Sequence, residues 1–254
     1  GEPFTVTMIY ENVGERAAEN VQASLHGLGV SLFDQPYSSF FPVDFDKNRP
    51  GQSGVATWTL VAPTVQAGTT GDYRFVGRVE YLYSTSATAL IPYATRDEFR
   101  SQQASGTVQS LQQTATAGPL AVDINGDVPL IIRPDDVSFT TFQITLRDVG
   151  SGVPISDGVQ GLVKGTITFS GADQIFCFDS EPLVNDDGSI TYALPPSMII
   201  RQGDSVSFSC TLDAGNIPRT FGTITAAFDL FYGYFTETEG VLSVSGVTGS
   251  PFQR

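Results

Sequence analysis

Residues 6–14 read VTMIYENVG, and residues 142–150 read FQITLRDVG. In both, apolar and polar residues alternate, and a turn-forming Asn or Asp, a valine and a glycine close the run. Alternation with a period of two is the mark of a strand with one buried face. Two further cassettes follow in the same order. GQSGVATWTL (51–60) matches QGDSVSFSCTL (202–212), and YRFVGRVEYLY (73–83) resembles FGTITAAFDLFY (221–232). A repeat of well over 100 residues exceeds a solenoid unit of roughly 20–50. It suits a whole domain of about 100–150 residues. The chain therefore reads as two copies of one β-rich domain.

The period of two persists throughout. FTVTMIY, VQASL, KGTITFS, SITYAL and TITAAFDLFYGYF alternate or form β-branched and aromatic runs. NDDG (185–188) sits between EPLV and SITYAL and predicts a hairpin turn, because Asp-Gly tolerates positive φ. Helical periodicity is nearly absent: ERAAENVQASL has room for one helical turn before Gly27 and Gly29 stop it. The expected fold is all-β, with two tandem sandwiches. The first spans 1–100 and the second 118–254. Residues 101–117, rich in Gln, Ser and Thr, form a polar linker or long loop, with an edge strand possible at TVQSLQ.

Composition narrows the function classes. The 254 residues carry 13 basic and 27 acidic side chains, a formal net charge of −14. Nucleic acid needs clustered Lys and Arg against its phosphates, and this chain has no such cluster. An anionic membrane surface is disfavoured for the same reason. No run approaches the about 20 apolar residues that span a bilayer as a helix. The chain opens directly on a strand-like pattern, as a mature secreted chain or an excised fragment does. Charged residues total only 16%, and Ser, Thr, Gln and Gly take their place, as in many extracellular β-proteins.

Few residues suggest chemistry. Cys177 and Cys210 lie in strand-like runs of the second half. They are either two buried thiols or a disulfide between two strands. Their pairing within one domain favours the disulfide. Two thiolates without nearby His are a poor metal site. His26 is the single histidine, with Ser24 two residues away, and no nucleophile elbow accompanies it. Acidic clusters occur at 44–48, 123–127, 133–136 and 185–188. Asp123, Asn125 and Asp127 have the spacing of a calcium-loop opening but lack the later glycine and bidentate glutamate of an EF-hand. Ordinary turns also account for all four clusters. No pair of acids is singled out for glycoside hydrolysis. No phosphate-binding loop opens a helix, and no Asn-x-Ser/Thr sequon occurs. O-linked sugars on 101–116 are an open possibility. No cofactor is expected.

The run FTVTMIYENVGERAAENVQASL resembles the CARDB-like immunoglobulin domains of archaeal secreted and S-layer-associated proteins. YRFVGRVEYLYSTSATALIPYATRDEF is similar to the closing strands of such proteins, and GPLAVDI leading to FQITLRDVGSGVP to the opening of a next module. The second copy departs from the first in its cysteine pair and in having Asp148 where the first has Asn12. The resemblance implies immunoglobulin-like sandwiches and an extracellular structural role without catalytic residues; because sandwich edges offer N–H and C=O groups to a neighbour's strand, assembly into a homopolymer at the cell surface is expected. For strand donation to a neighbour, the terminal runs 2–10 and 241–252 are the candidates. The alternative is a binding module for carbohydrate or protein, with Tyr81, Tyr83, Tyr93, Tyr232 and Tyr234 as an aromatic platform.

Overall fold

The computed structural model describes residues 1–34, 37–43, 49–133, 139–172, 174–178, 181–213 and 220–246. The acidic cluster at 44–48, the acids of 133–136 and the end of the candidate donor run 241–252 lie outside them. The elements in chain order begin with β1 (Pro3–Glu11), β2 (Ala18–Gly27), β3 (Val30–Phe33), β4 (Tyr37–Phe40), β5 (Ser53–Val61) and β6 (Thr70–Thr95). One helix follows, α1 (Arg96–Ser105), then β7 (Gln112–Ala115), β8 (Leu120–Asn125), β9 (Leu130–Ile132) and β10 (Phe139–Asp148). The remainder are β11 (Val153–Ser156), β12 (Val159–Gln160), β13 (Lys164–Ser170), β14 (Ile175–Phe176), β15 (Leu183–Val184), β16 (Ile190–Ala193), β17 (Ser205–Asp213) and β18 (Phe221–Ser245). The fold is mostly β, as the alternation requires. The chain groups into two compact units: Gly1–Leu82 with Tyr234–Arg254, and Tyr83–Gly233.

The helix is where the structure departs from the sequence reading. Thr95 caps it, its hydroxyl accepting the Glu98 N–H at 3.4 Å, and Gly106 ends it in the left-handed region at φ 71°. Asp97 and Glu98 favour the positive N-terminal end. None of its residues is buried, so no apolar stripe betrays it in the sequence. In contrast, ERAAENVQASL makes no helix from Ala18 onward. That part is β2, and Asn20 takes a left-handed φ of 51° at a bulge between Glu19 and Gln22. The predicted hairpin at 185–188 is present: Leu183 pairs with Thr191 and Val184 with Ile190, with Gly188 at φ 81°.

In the first unit, β1 and β5 pair antiparallel from Pro3↔Val61 to Glu11↔Ser53. Facing them, β2 carries β3 and β4 on one side and the start of β6 on the other. Ala23 and Leu25 of β2 meet Ala56 and Trp58 of β5 in a buried core, with Val6, Met8, Tyr10, Leu60 and Phe75 against it. The unit is thus two sheets closed over apolar side chains. The end of β18 runs beside the start of β6, with Gly246 donating to the Thr69 carbonyl at 2.8 Å.

In the second unit, four strands lie in the order β14-β17-β10-β8. The other layer includes β15, β16, β13 and the start of β18, with β7 and β9 on the latter part of β6. Phe142 meets Phe169 edge-on at 6.2 Å, Phe169 meets Tyr192 edge-on at 6.5 Å, and Phe178 lies tilted against Phe208 at 4.8 Å. Such aromatic pairs prefer these offset and edge geometries.

The repeat is visible in registers. Val6 pairs with Trp58, and their counterparts Phe142 and Cys210 pair likewise. The third cassettes are the first halves of the two long strands. β6 begins in the first unit and its latter half belongs to the second; β18 begins in the second, and its latter half belongs to the first. Each unit therefore holds its own copy's cassettes plus the tail of the other copy's last strand.

Candidate functional site: an open sheet edge

The two units differ most at one place. β10 has a neighbour on each side, β17 and β8, whereas β1 is paired with β5 alone among the described residues. Burial follows. On β10, the inward Phe142, Ile144 and Leu146 are 2%, 0% and 0% exposed, covered in part by Leu120, Val122 and Ile124 of β8. The matching Val6, Met8 and Tyr10 of β1 are only half-buried.

Backbone direction follows from two hydrogen bonds. Ala62 donates to the Glu2 carbonyl at 2.9 Å, and Asn12 donates to the Gln52 carbonyl at 3.1 Å. In an antiparallel ladder hydrogen-bonded pairs alternate with non-bonded ones. The even-numbered residues of β1 therefore bond toward β5. The odd-numbered ones, Thr5, Thr7, Ile9 and Glu11, turn their N–H and C=O outward. Their side chains are exposed as well, Ile9 to 74%. Opposite them, Val55, Thr57, Thr59 and Val61 complete an exposed face of largely β-branched residues whose one charge is Glu11 at the strand's end. Edge strands are commonly guarded by Lys, by bulges or by proline; β1 has only Pro3 at its start.

A groove of about 230 Å³ runs along this edge. Val6, Met8, Trp58, Leu25 and Phe75 line it, with Thr238, Glu239 and Gly240 on its far rim. Two glycines shape it. A Cβ on Gly77 would lie 2.9 Å from Met8 Sδ, and one on Gly240 would strike the Phe75 ring. Apolar walls and peptide groups without a strand partner among the described residues lie side by side, an arrangement that can take up an extended chain.

The residues singled out in the sequence fall elsewhere. Cys177 and Cys210 are joined in a disulfide, S–S 2.08 Å, in the core of the second unit. Asp123 forms an ion pair with Arg147 at 3.3 Å, and Asn125 donates to Thr145 Oγ1 at 3.2 Å, both across β8 and β10. Asp127 lies past the end of β8. No group of three acidic, His or Cys side chains among the described residues is placed to hold a metal ion. Ser24 Oγ and His26 Nε2 stand 2.9 Å apart on β2, but Ser24 is buried, which leaves a substrate no approach to its hydroxyl. The tyrosines do not make a platform. Tyr83, Tyr93, Tyr232 and Tyr234 are buried in cores, with Tyr232 Oη bonded to Thr85 Oγ1 at 2.6 Å, and the half-buried Tyr81 packs on Tyr234. Alternating strands put aromatics on inner and outer faces alike, so their number alone said nothing about exposure.

The open edge was not legible as such. The sequence marks β1 as a strand but cannot say that β5 is its one neighbour among the described residues. The chain matches no protein-family model and no curated protein. No helix among the described residues is long and apolar enough to cross a membrane, which says nothing of strands.

Proposed function

We propose that this chain is a non-enzymatic structural subunit of an extracellular assembly, a surface filament or surface layer of the archaeal kind that the resemblance implies. Its two units are read as immunoglobulin-like sandwiches, and its subunits join by strand addition at sheet edges. The open outer side of β1 carries the proposal, because an edge with unpaired peptide groups beside an apolar groove gains both hydrogen bonds and burial from a neighbour. Two features support it. The buried disulfide suits an oxidising compartment, and the Thr, Val and Ile face carries a single charge, Glu11 at its end, on a chain of net charge −14. Contacts made head to tail give fibres when their rotation does not close. Electron microscopy of the concentrated protein tests the reading. Regular polymers are expected, and a strictly monomeric chain at the highest concentration reached overturns it.

A further inference from the structure

We infer that the outer edge of β1 receives one antiparallel strand of the β8 type, with apolar residues at alternate positions facing the groove. The inference rests on the structural reading above and adds the direction, register and chemistry of the partner segment.

The second unit supplies the template. β10 and β1 are repeat counterparts with matching registers against β17 and β5. Asp148 N–H bonds to the Asp204 carbonyl at 3.0 Å, so on β10 too the even-numbered residues face inward to their first partner. The odd-numbered Gln143, Thr145 and Arg147 then face β8, opposite Asn125, Asp123 and Ala121. Transferred to β1, Thr7, Ile9 and Glu11 bond to the incoming strand. Its inward residues lie as Ile124 does opposite Ile144, Val122 opposite Leu146 and Leu120 opposite Asp148. They therefore fall beside Met8, Tyr10 and Asn12.

The groove supplies the space at Met8, its lining on β1 running from Val6 to Ile9 and stopping short of Tyr10 and Asn12. The groove is apolar and exceeds the about 150 Å³ that accommodates a benzene ring. Its rim is glycine at 240 and its wall glycine at 77, where larger side chains would fill the space. An unbroken head-to-tail addition of whole β1–β5 sheets does not fit. It would advance by only about 9–10 Å per copy at 4.7–4.9 Å per strand, while the facing sheet of the unit, β18-β6-β2-β3, spans more than that. A single strand fits without this conflict.

Trp58 is the single tryptophan and lines the groove, so its fluorescence reports occupancy. The probe is a synthetic peptide with the sequence of residues 119–126, PLAVDING, which has no aromatic residue, with Asn in place of Asp123 because β1 has Glu11 where β10 has the Arg147 that pairs with Asp123. Titrated into the full chain, it is expected to give a saturable Trp58 change. N-methylation at the amides matching Ala121 and Asp123, which face β1, is expected to weaken binding at least tenfold. N-methylation at those matching Val122 and Ile124, which face away, is expected to leave it within a factor of about two to three. A peptide with apolar and polar positions exchanged is expected not to bind. Thr7→Pro removes an outward N–H without touching the β5 ladder and is expected to abolish binding with an unchanged circular dichroism spectrum. The methylated peptides decide the matter should that variant misfold. No Trp58 response, or equal loss from both methylation patterns, overturns the inference. So does slow hydrogen exchange of the Thr7 and Ile9 amides in the isolated chain, since the chain would then cover its own edge. Binding in this register without any polymer sinks the filament reading and keeps the strand site. Polymers that ignore the peptide do the reverse.

Discussion

Asn12 and Asp148 hold the same place in their two units and fasten the same turn. Asn12 Oδ1 accepts the Gly14 N–H at 3.0 Å, and Asp148 Oδ1 accepts the Gly150 N–H at 3.0 Å. The second atom of each side chain differs. Asn12 Nδ2 donates to the Arg16 and Phe40 carbonyls at 2.9 and 3.2 Å, whereas Asp148 Oδ2 accepts the Gly203 N–H at 3.2 Å. One copy needs a donor there and the other an acceptor, which gives a physical reason for the one-atom difference between the repeats.

The two side chains are therefore not interchangeable. Asn12→Ala should lower stability by about 1–3 kcal/mol by stranding buried carbonyls. Asn12→Asp should be worse at neutral pH, because it sets a carboxylate against those carbonyls, and should recover as acid protonates it. Asp148→Asn should also destabilise by turning an NH₂ toward the Gly203 N–H. Urea unfolding of the three variants checks the order, and an Asn12→Asp variant as stable as the parent would refute the donor assignment.

The disulfide closes a separation of 33 residues between Cys177 and Cys210. Loop-closure entropy for that length stabilises by about 3–4 kcal/mol. The Cys177→Ser/Cys210→Ser variant should lower the urea midpoint accordingly. Thiol titration of the unfolded, unreduced chain should find none free. Two titrating thiols would show the bridge to be absent in solution.

At the 185–188 hairpin, Asp187 accepts hydrogen bonds from the Ser189 hydroxyl at 2.7 Å and the Ser189 N–H at 2.9 Å. The hydroxyl, then the amide, hold its carboxyl below the ordinary value of 3.8. Its contribution to stability is present above that value and fades as pH falls through the lower folded one. A carboxyl titration by NMR should place Asp187 below 3.8, and Ser189→Ala should raise it. An unchanged titration in Ser189→Ala would exclude this cause.

Tyr192 Oη donates to the Ile175 carbonyl at 2.6 Å inside the second unit. Burial pushes its ionisation above the ordinary value of 10.0, with a smaller opposing backbone hydrogen bond. The neutral form is thus favoured by folding, and that stability is intact below pH about 10 and lost as pH rises beyond it. Tyr192→Phe should cost about 1–3 kcal/mol at neutral pH by leaving the carbonyl unpaired. It should also flatten the alkaline fall in stability, which thermal unfolding across pH 8–11 would reveal.

Much of the strand content was readable because alternation is a property of neighbouring residues. VTMIYENVG and FQITLRDVG became β1 and β10 with their closing turns, and NDDG became a hairpin, since each depends on side chains and φ preferences within a few positions. The helix at Arg96–Ser105 carried its own signals, Thr95 three residues before Glu98 and Gly106 behind it. Apart from Phe99 and Ala104 its residues are polar, and without an apolar stripe those caps read as loop.

The sequence by itself determined that the chain is β-rich, duplicated and carries one cysteine pair. Only the folded chain shows that the tails of β6 and β18 serve the opposite units, that four of the five candidate tyrosines are core, and that among the described residues β1 has no partner where β10 has β8. Period-two patterning fixes which face of a strand is apolar; which strand lies beside it is settled by pairing across scores of residues, and local sequence holds no record of that choice.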